Sequence, residues 1–394
     1  MRAARPPWPS MATCPVCRPG RNWNASCREH PGTSCVDRTA VDPGAGCNDS
    51  DASHMRAPQR ATAKDVATTA GVSTSTASRA LSGRGYVSAE ALRRVRAAAV
   101  DLGYVPDVHA RNLRAGFGRD VGVMVTTLRN SFYSELATAI EAALHALDFN
   151  MILATDNGEE DEQLAAIDRL MSMRVAGIIL TPVSATAVER VWRNGIRVVQ
   201  VDRTVGRRRT DAVLSANEDG AYEATAHVLD HGHRHVAMVI DEVRWTTGRG
   251  RLKGFQRAHR DRGLGIADGL VMFGSADVAV AARQVGQLLD DHPELTGIVA
   301  ANGLMAEAAF RELQRRRIAL PAQMSLVAYD DVPWMSMVQP PITTVSQHTD
   351  EMGRACAELL VQGLAERDAW RPQTRSIRPD LILRGSVHSI GAGA

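Results

Sequence analysis

A chain of 394 residues is long enough for two or three domains and a sizeable core. Apolar residues make up 44% and charged residues 23%, which excludes a fibrous or wholly disordered chain, and no apolar run of about eighteen residues is present to span a bilayer. The formal net charge of +2 conceals an asymmetry. Between Arg56 and Gly118 ten Lys/Arg stand against four Asp/Glu, whereas the rest carries thirty-six basic and forty acidic groups. A small basic module on a mildly acidic body fits a head that binds a polyanion, although a solvated basic face fits the same numbers.

Residues 1–55 are rich in Pro, Gly, Ser, Asp and Arg, lack apolar periodicity and hold five of the six cysteines. This composition predicts a disordered extension, with the folded chain starting near Met55. Cys14-x-x-Cys17 suggests a zinc site with Cys27, His30, Cys35 or Cys47, but no second closely spaced pair completes it. No metal or other cofactor is expected. The basic residues at the start precede no apolar segment of a secretory signal, so a cytoplasmic protein is expected and a disulfide framework is not.

From Ala61 to Ala115 the pattern is helical. Thr62 and Asp65 have the spacing of a capping box ahead of Val66, Ala67 and Ala70. Gly71 breaks that helix, and Ser73 caps a second one over Thr74 to Leu81. After the loop Ser82–Gly85, Ser88 and Glu90 open a third helix carrying Leu92, Val95, Ala99 and Leu102, closed by Gly103. Pro106 introduces a short helical stretch, Asp107 to Ala115, ended by Gly116 and Gly118. Two short helices joined by a glycine turn fit a helix-turn-helix, in which the second helix enters the major groove. On that second helix Ala77, Ala80 and Leu81 cluster on one side, while Thr74, Ser75, Ser78 and Arg79 lie opposite. The hydroxyls suit phosphates or base edges and the arginine suits guanine. An ordinary helical hairpin with a solvated polar face has the same pattern.

After Arg119, short apolar runs (VGVMV, NMILAT, AGIIL, RVVQV, AVLSA, HVAMVI, LVMF, GIVAAN, SLVAYD) alternate with amphipathic stretches such as Glu135 to Asp148 and Glu162 to Met173. This predicts an α/β core of two doubly wound parallel-sheet lobes behind an α-helical head. The expected divisions are an extension at 1–55, a head at 56–105, a hinge helix or linker at 106–118, a core at 119–385 and a tail at 386–394. Within the core, one lobe takes about 119–215 and 348–376, and the other about 216–347 and 377–385.

The wording AGVSTSTASRALSG, followed by YVSAEALRRVRAAAVDLGYVPDVHARNLRAG, resembles the head of the lactose repressor (LacI/GalR) family. The match is unbroken from about Thr62 to Gly118, and family-like features recur through Arg384, over 80% of the chain. The resemblance implies a dimeric bacterial transcriptional regulator, a repressor and not an enzyme, with a core like periplasmic sugar-binding proteins. It implies pseudo-palindromic operator DNA, a small-molecule effector of carbohydrate type and a second copy of the chain as partners. Thr74, Ser75 and Arg79 become the main base-reading positions, with Thr62, Thr76 and Ser78 beside them on the DNA. Ala110, Leu113 and Arg114 become minor-groove contacts, Leu113 wedging between base steps. The final GSVHSIGAGA has no leucine heptads, so a dimer without a coiled-coil tail is expected.

The same resemblance implies an effector cleft between the lobes at the carboxyl ends of the strands. Asp202 and Asp330 end strands there and can accept sugar hydroxyls; Arg251 matches the family's ligand-gripping arginine, and Asn302 follows GIVAA. Phe132 and Tyr133 supply an aromatic wall, and Gln347 lies near the last lobe crossover. Each also has a bland reading, a helix cap for an aspartate or a surface ion pair for Arg251. Gly303 stands where the family commonly has Asp, and Gly274-Ser275-Ala276 lacks the usual aromatic platform, which leaves the effector open. His231, His233 and His235 alternate but gain no further ligand, and no glycine-rich phosphate loop follows VGVMV. A periplasmic ligand carrier is the competing reading; it has no use for the head.

Overall fold

The structure is a computed structural model and describes residues 61–83, 85–104, 118–206, 210–366 and 369–391. The extension, the stretch carrying Ala110, Leu113 and Arg114, and the cysteine-rich segment lie outside the described residues.

The head consists of α1 (Ala63–Thr69), α2 (Thr74–Ser82) and α3 (Ala89–Asp101). Each start is a side-chain cap: Thr62 forms a full capping box with Asp65, Ser73 accepts from the amide of Thr76, and Ser88 accepts from that of Ala91. Gly71 and Gly83 turn the chain with φ of 61° and 68°, which a side chain would resist. Val66, Ala67, Ala70, Ala77, Ala80, Val95 and Ala98 form the buried core of the head, so the apolar side of α2 packs on α1 as its spacing requires.

The core is two six-stranded sheets. The first runs β11-β5-β4-β3-β1-β2, built from β1 (Asp120–Val125), β2 (Asn150–Thr155), β3 (Gly177–Leu180), β4 (Arg197–Val201), β5 (Asp211–Ser215) and β11 (Thr374–Ile377), all parallel. The second runs β12-β10-β9-β8-β6-β7, built from β6 (Val236–Ile240), β7 (Val271–Phe273), β8 (Gly297–Ala300), β9 (Ser325–Tyr329), β10 (Thr343–Ser346) and β12 (Asp380–Ile382). Only β12 is antiparallel to its neighbour. The two orders correspond strand for strand. The central strands are buried along their whole length because helices cover both faces, which explains their continuous apolar runs.

In the first lobe α4 (Ser131–Ala146) and α12 (Thr349–Glu366) cover one face, while α5 (Glu160–Ser172) and α6 (Ala185–Arg193) cover the other. In the second lobe α7 (Asn217–Asp230) and α8 (Thr246–Asp261) lie on one face, with α9 (Val278–Asp291) and α10 (Gly303–Arg316) on the other, and the short α11 (Trp334–Met337) follows β9. The chain crosses between sheets at 215–217, 346–349 and 377–380.

Three findings differ from the sequence reading. The strands β10, β11 and β12 are not among the nine apolar runs, because TTVS and TRSI are mostly polar and DLI is only three residues long. The helices expected over Glu135 to Asp148 and Glu162 to Met173 instead begin at Ser131 and Glu160. The expected tail is docked through Ile390: Ser386 is buried, its hydroxyl donates to the Leu326 carbonyl at 2.5 Å, and the Ile390 amide donates to the His231 carbonyl at 2.8 Å.

Candidate functional site

All seven residues expected at the effector site, Phe132, Tyr133, Asp202, Arg251, Asn302, Asp330 and Gln347, line one cavity of about 340 Å³ between the lobes. Its walls are the carboxyl ends of β1, β2, β4, β6, β7, β8, β9 and β10, so every lining loop leaves a strand on the same side.

Arg251 comes first because its surroundings set the rest. It lies in TTGRGRLKGF, the opening of α8. Gly254 brings α8 so close to α7 that a Cβ there would meet the Glu218 carbonyl and, at 2.7 Å, the Tyr222 amide nitrogen. That approach buries Arg251, and its Nε donates to Asn217 Oδ1 at 2.7 Å and its Nη1 to the Ala301 carbonyl at 2.6 Å. The guanidinium also lies 3.8 Å over the ring of Tyr329. Arg251 is thus no surface ion pair. Burial works against its charge, but Tyr329, Asp330 and Asp202 outweigh that and push its pKa up. Burial pushes the Tyr329 phenol up to about 12.

Asp202 and Asp330 follow β4 and β9 directly and are both buried. The Tyr133 hydroxyl donates to Asp202 Oδ2 at 3.1 Å, and burial raises the Asp202 pKa against the opposing pull of Arg203 and Arg251. Tyr133 itself is pushed up by burial and by the charge of Asp202. Asp330 accepts from Gln347 Nε2 at 2.6 Å and from the Gly303 amide at 3.0 Å. Gly303, which stands where the resembled family commonly has Asp, therefore supplies a backbone donor to Asp330.

The other end of the Gln347 amide, Oε1, is buried with no hydrogen-bond partner among the described residues. A buried acceptor without a donor is costly, and a hydroxyl or N–H placed in the cavity can satisfy it. Asn302 caps α10 by accepting from the Met305 amide at 2.9 Å, so its oxygen is engaged and its amide nitrogen is the part left for a ligand. Phe132 and Tyr133 are largely buried and pack edge to face, 5.2 Å between ring centres, so the aromatic wall is more enclosed than open. Gly274, Ser275 and Ala276 line the cavity without an aromatic ring.

Arg203, Trp245 and Thr126 also line the cavity, and Asn217 holds Arg251 from behind it; all four escaped the sequence reading. Arg203 had a signal, its place beside Asp202 at a strand end. Trp245 had none, since it precedes a helix with no periodic neighbour. The three histidines do not converge: buried His233 is bonded to Thr296, Ser325 and the His388 carbonyl, while His231 bonds the His227 carbonyl. Among the described residues no group of His, Cys, Asp and Glu has the arrangement of a metal site.

In the head, Thr74, Ser75 and Arg79 are exposed along one side of α2, with Thr76 and Ser78 half-buried beside them. Arg79 Nε donates to the Ser75 carbonyl at 3.3 Å, which steadies the arginine along the helix while the residue stays exposed. Thr76 shares the capping network of Ser73, its hydroxyl 2.8 Å away, and Thr62 is occupied in the first capping box.

Residues 62–107 match the model of bacterial regulatory proteins of the lacI family, and residues 225–387 match a periplasmic binding protein-like domain. The chain is 29% identical over 330 residues to the ribose operon repressor of Escherichia coli, covering 83% of this chain and 100% of that protein. It is 28% identical over 334 residues to the HTH-type transcriptional repressor PurR of Aliivibrio fischeri, covering 83% and 98%. A lac repressor dimer bound to operator and an anti-inducer shares the fold, with a TM-score of 0.74 at 23% identity over 84% of this chain and 100% of that one. Among the described residues no helix is long and apolar enough to cross a membrane. A three-helix head that matches the lacI family model stands ahead of two parallel-sheet lobes enclosing a polar cleft, and the chain thus carries a lacI-family regulatory head on a periplasmic-binding-protein-like core.

Proposed function

We propose that this protein is a sequence-specific transcriptional repressor that acts as a homodimer on pseudo-palindromic operator DNA and changes its operator affinity when a small molecule binds between the lobes. The observation that carries this reading is the presence, in one chain, of a lacI-type head and a cleft lined by buried polar groups, among them the unpartnered Gln347 Oε1. In the head, Arg79 reads a base and the hydroxyls of Thr74 and Ser75 position α2 in the major groove. Ala110, Leu113 and Arg114 complete the contact from the minor groove. In the cleft, Asp202 and Gln347 accept from ligand hydroxyls, and Arg251 and Asn302 donate to them. This donor and acceptor set suits a compact polyhydroxylated metabolite. The reading includes no enzymatic step and places the protein with the chromosome in the cytoplasm.

The test begins by selecting the operator from random duplexes with the full chain. Operator affinity is then measured with and without ribose, the sugar named for one relative, followed by other pentoses, hexoses and purine bases. A selected palindrome whose affinity changes with one compound is the expected result. Failure to enrich any sequence removes the regulator reading.

A further inference from the structure

Two consecutive residues of one lobe meet two consecutive residues of the other at the rim of the cleft. Arg203 is buried and tied to its own lobe: Nε donates to the Pro182 carbonyl at 2.8 Å and Nη2 to Thr126 Oγ1 at 3.0 Å. Its guanidinium lies over the ring of Trp245, 4.0 Å from the ring centre, and Trp245 belongs to the second lobe as the residue before α8. One residue further on, the Thr204 amide donates to Thr246 Oγ1 at 3.3 Å. Trp245 is held from its own side by Arg244, whose guanidinium lies 4.4 Å from the same ring centre and pairs with Glu242 at 2.5 Å.

The physical consequence is directional. The two hydrogen bonds within its own lobe fix where the Arg203 guanidinium points, so little rotamer freedom is lost when the indole settles on it. Parting the lobes uncovers that indole face, returns a desolvated guanidinium to water and breaks the Thr204 bond in the same movement. Neither partner can follow the other, because each is anchored to a different sheet. Asp202, the preceding residue, lines the cleft and is in electrostatic contact with Arg203.

We propose that Arg203 and Trp245 form a latch that holds this rim of the cleft closed in the ligand-free protein, with Arg203 and Trp245 acting as positioning residues for lobe closure. The latch belongs to the cleft assigned above, but it operates without a ligand, and its test therefore does not depend on that assignment. Opening the latch is the step a ligand must await to enter, and the stack reforming behind it is what retains the ligand.

The experiment is amide hydrogen exchange on the full chain without ligand, comparing wild type with Trp245→Ala, Trp245→Phe, Arg203→Ala and the double alanine variant. Segment 202–206, which contains the Thr204 amide, is expected to exchange about fivefold faster in each single alanine variant. The double variant adds little more, because the two residues act through one contact, and Trp245→Phe keeps most of the protection. Wild-type exchange in Trp245→Ala overturns the latch. So does a double variant whose effect is the product of the two single ones. A rise of equal size in α12, remote from the rim, would make Trp245 an ordinary packing residue and would also overturn it.

Discussion

Asp202 and Asp330 stand at corresponding positions of the two lobes, one after β4 and the other after β9, each the third strand in its sheet order, and both adopt φ of 71°. The left-handed backbone is tolerated by aspartate better than by most side chains, and here it occurs where the chain leaves a buried strand for the cleft. Their partners differ: Asp330 is held by Gln347 and the Gly303 amide, whereas Asp202 receives a single phenolic hydrogen bond from Tyr133. Burial raises the pKa of Asp202 against the pull of Arg203 and Arg251.

That difference gives Asp202 a stability signature. In the folded protein its pKa lies above the unfolded value, so over the pH range between the two the folded state binds more protons. Its contribution to stability is then lost as pH rises through that range. Asp202→Asn keeps an acceptor for Tyr133 and suits the same backbone. It is expected to raise Tm at pH 7, to flatten the loss of stability with rising pH above about 4, and to weaken effector binding. Thermal melts from pH 4 to 8 check this; an Asn variant less stable than wild type at pH 7 would mean the buried charge is already fully compensated.

Arg251 carries structure as well as any ligand contact, because it bonds Asn217 and the Ala301 carbonyl and lies over Tyr329. Arg251→Ala leaves those acceptors unpaired and is expected to cost about 1.5–3 kcal/mol in stability. The same variant should retain operator binding at a temperature where it stays folded and lose the effector response. Urea unfolding read beside operator titrations separates the two effects. An unchanged effector response would take Arg251 out of the site.

Gly254 is the residue on which the placement of Arg251 depends. A methyl group there meets the backbone of α7, which cannot rotate away. Gly254→Ala should therefore destabilise the core by about 1–3 kcal/mol and, by shifting α8, reduce effector affinity without touching the cleft directly. A variant with wild-type melting and wild-type response would show that α7 and α8 part freely.

In the head, Arg79→Ala is expected to relax base preference at one symmetric pair of operator positions, because a bidentate arginine–guanine contact contributes about 1–3 kcal/mol of discrimination. Binding to random DNA should fall much less. Equal losses on the selected operator and on random duplexes, read by anisotropy at fixed salt, would assign Arg79 to a phosphate.

Much of the head could be read directly from the chain, because its helices are bounded by local events: Thr62, Ser73 and Ser88 cap them, and Gly71 and Gly83 turn the backbone between them. The central strands were equally legible, since a strand buried on both faces must be apolar throughout. Asp202 and Asp330 stood out as charges at the ends of such strands. The tertiary structure decided everything that depends on a distant partner. TTVS, TRSI and DLI carry too little apolar surface to announce themselves and become strands only by pairing at or near a sheet edge. Arg203 and Trp245 are separated by two strands and a helix in sequence, and no local pattern brings a guanidinium from one lobe onto an indole of the other. Arg251 reads as a surface cation from its helix alone, and it is buried because Gly254 lets two helix backbones approach more closely than any side chain permits.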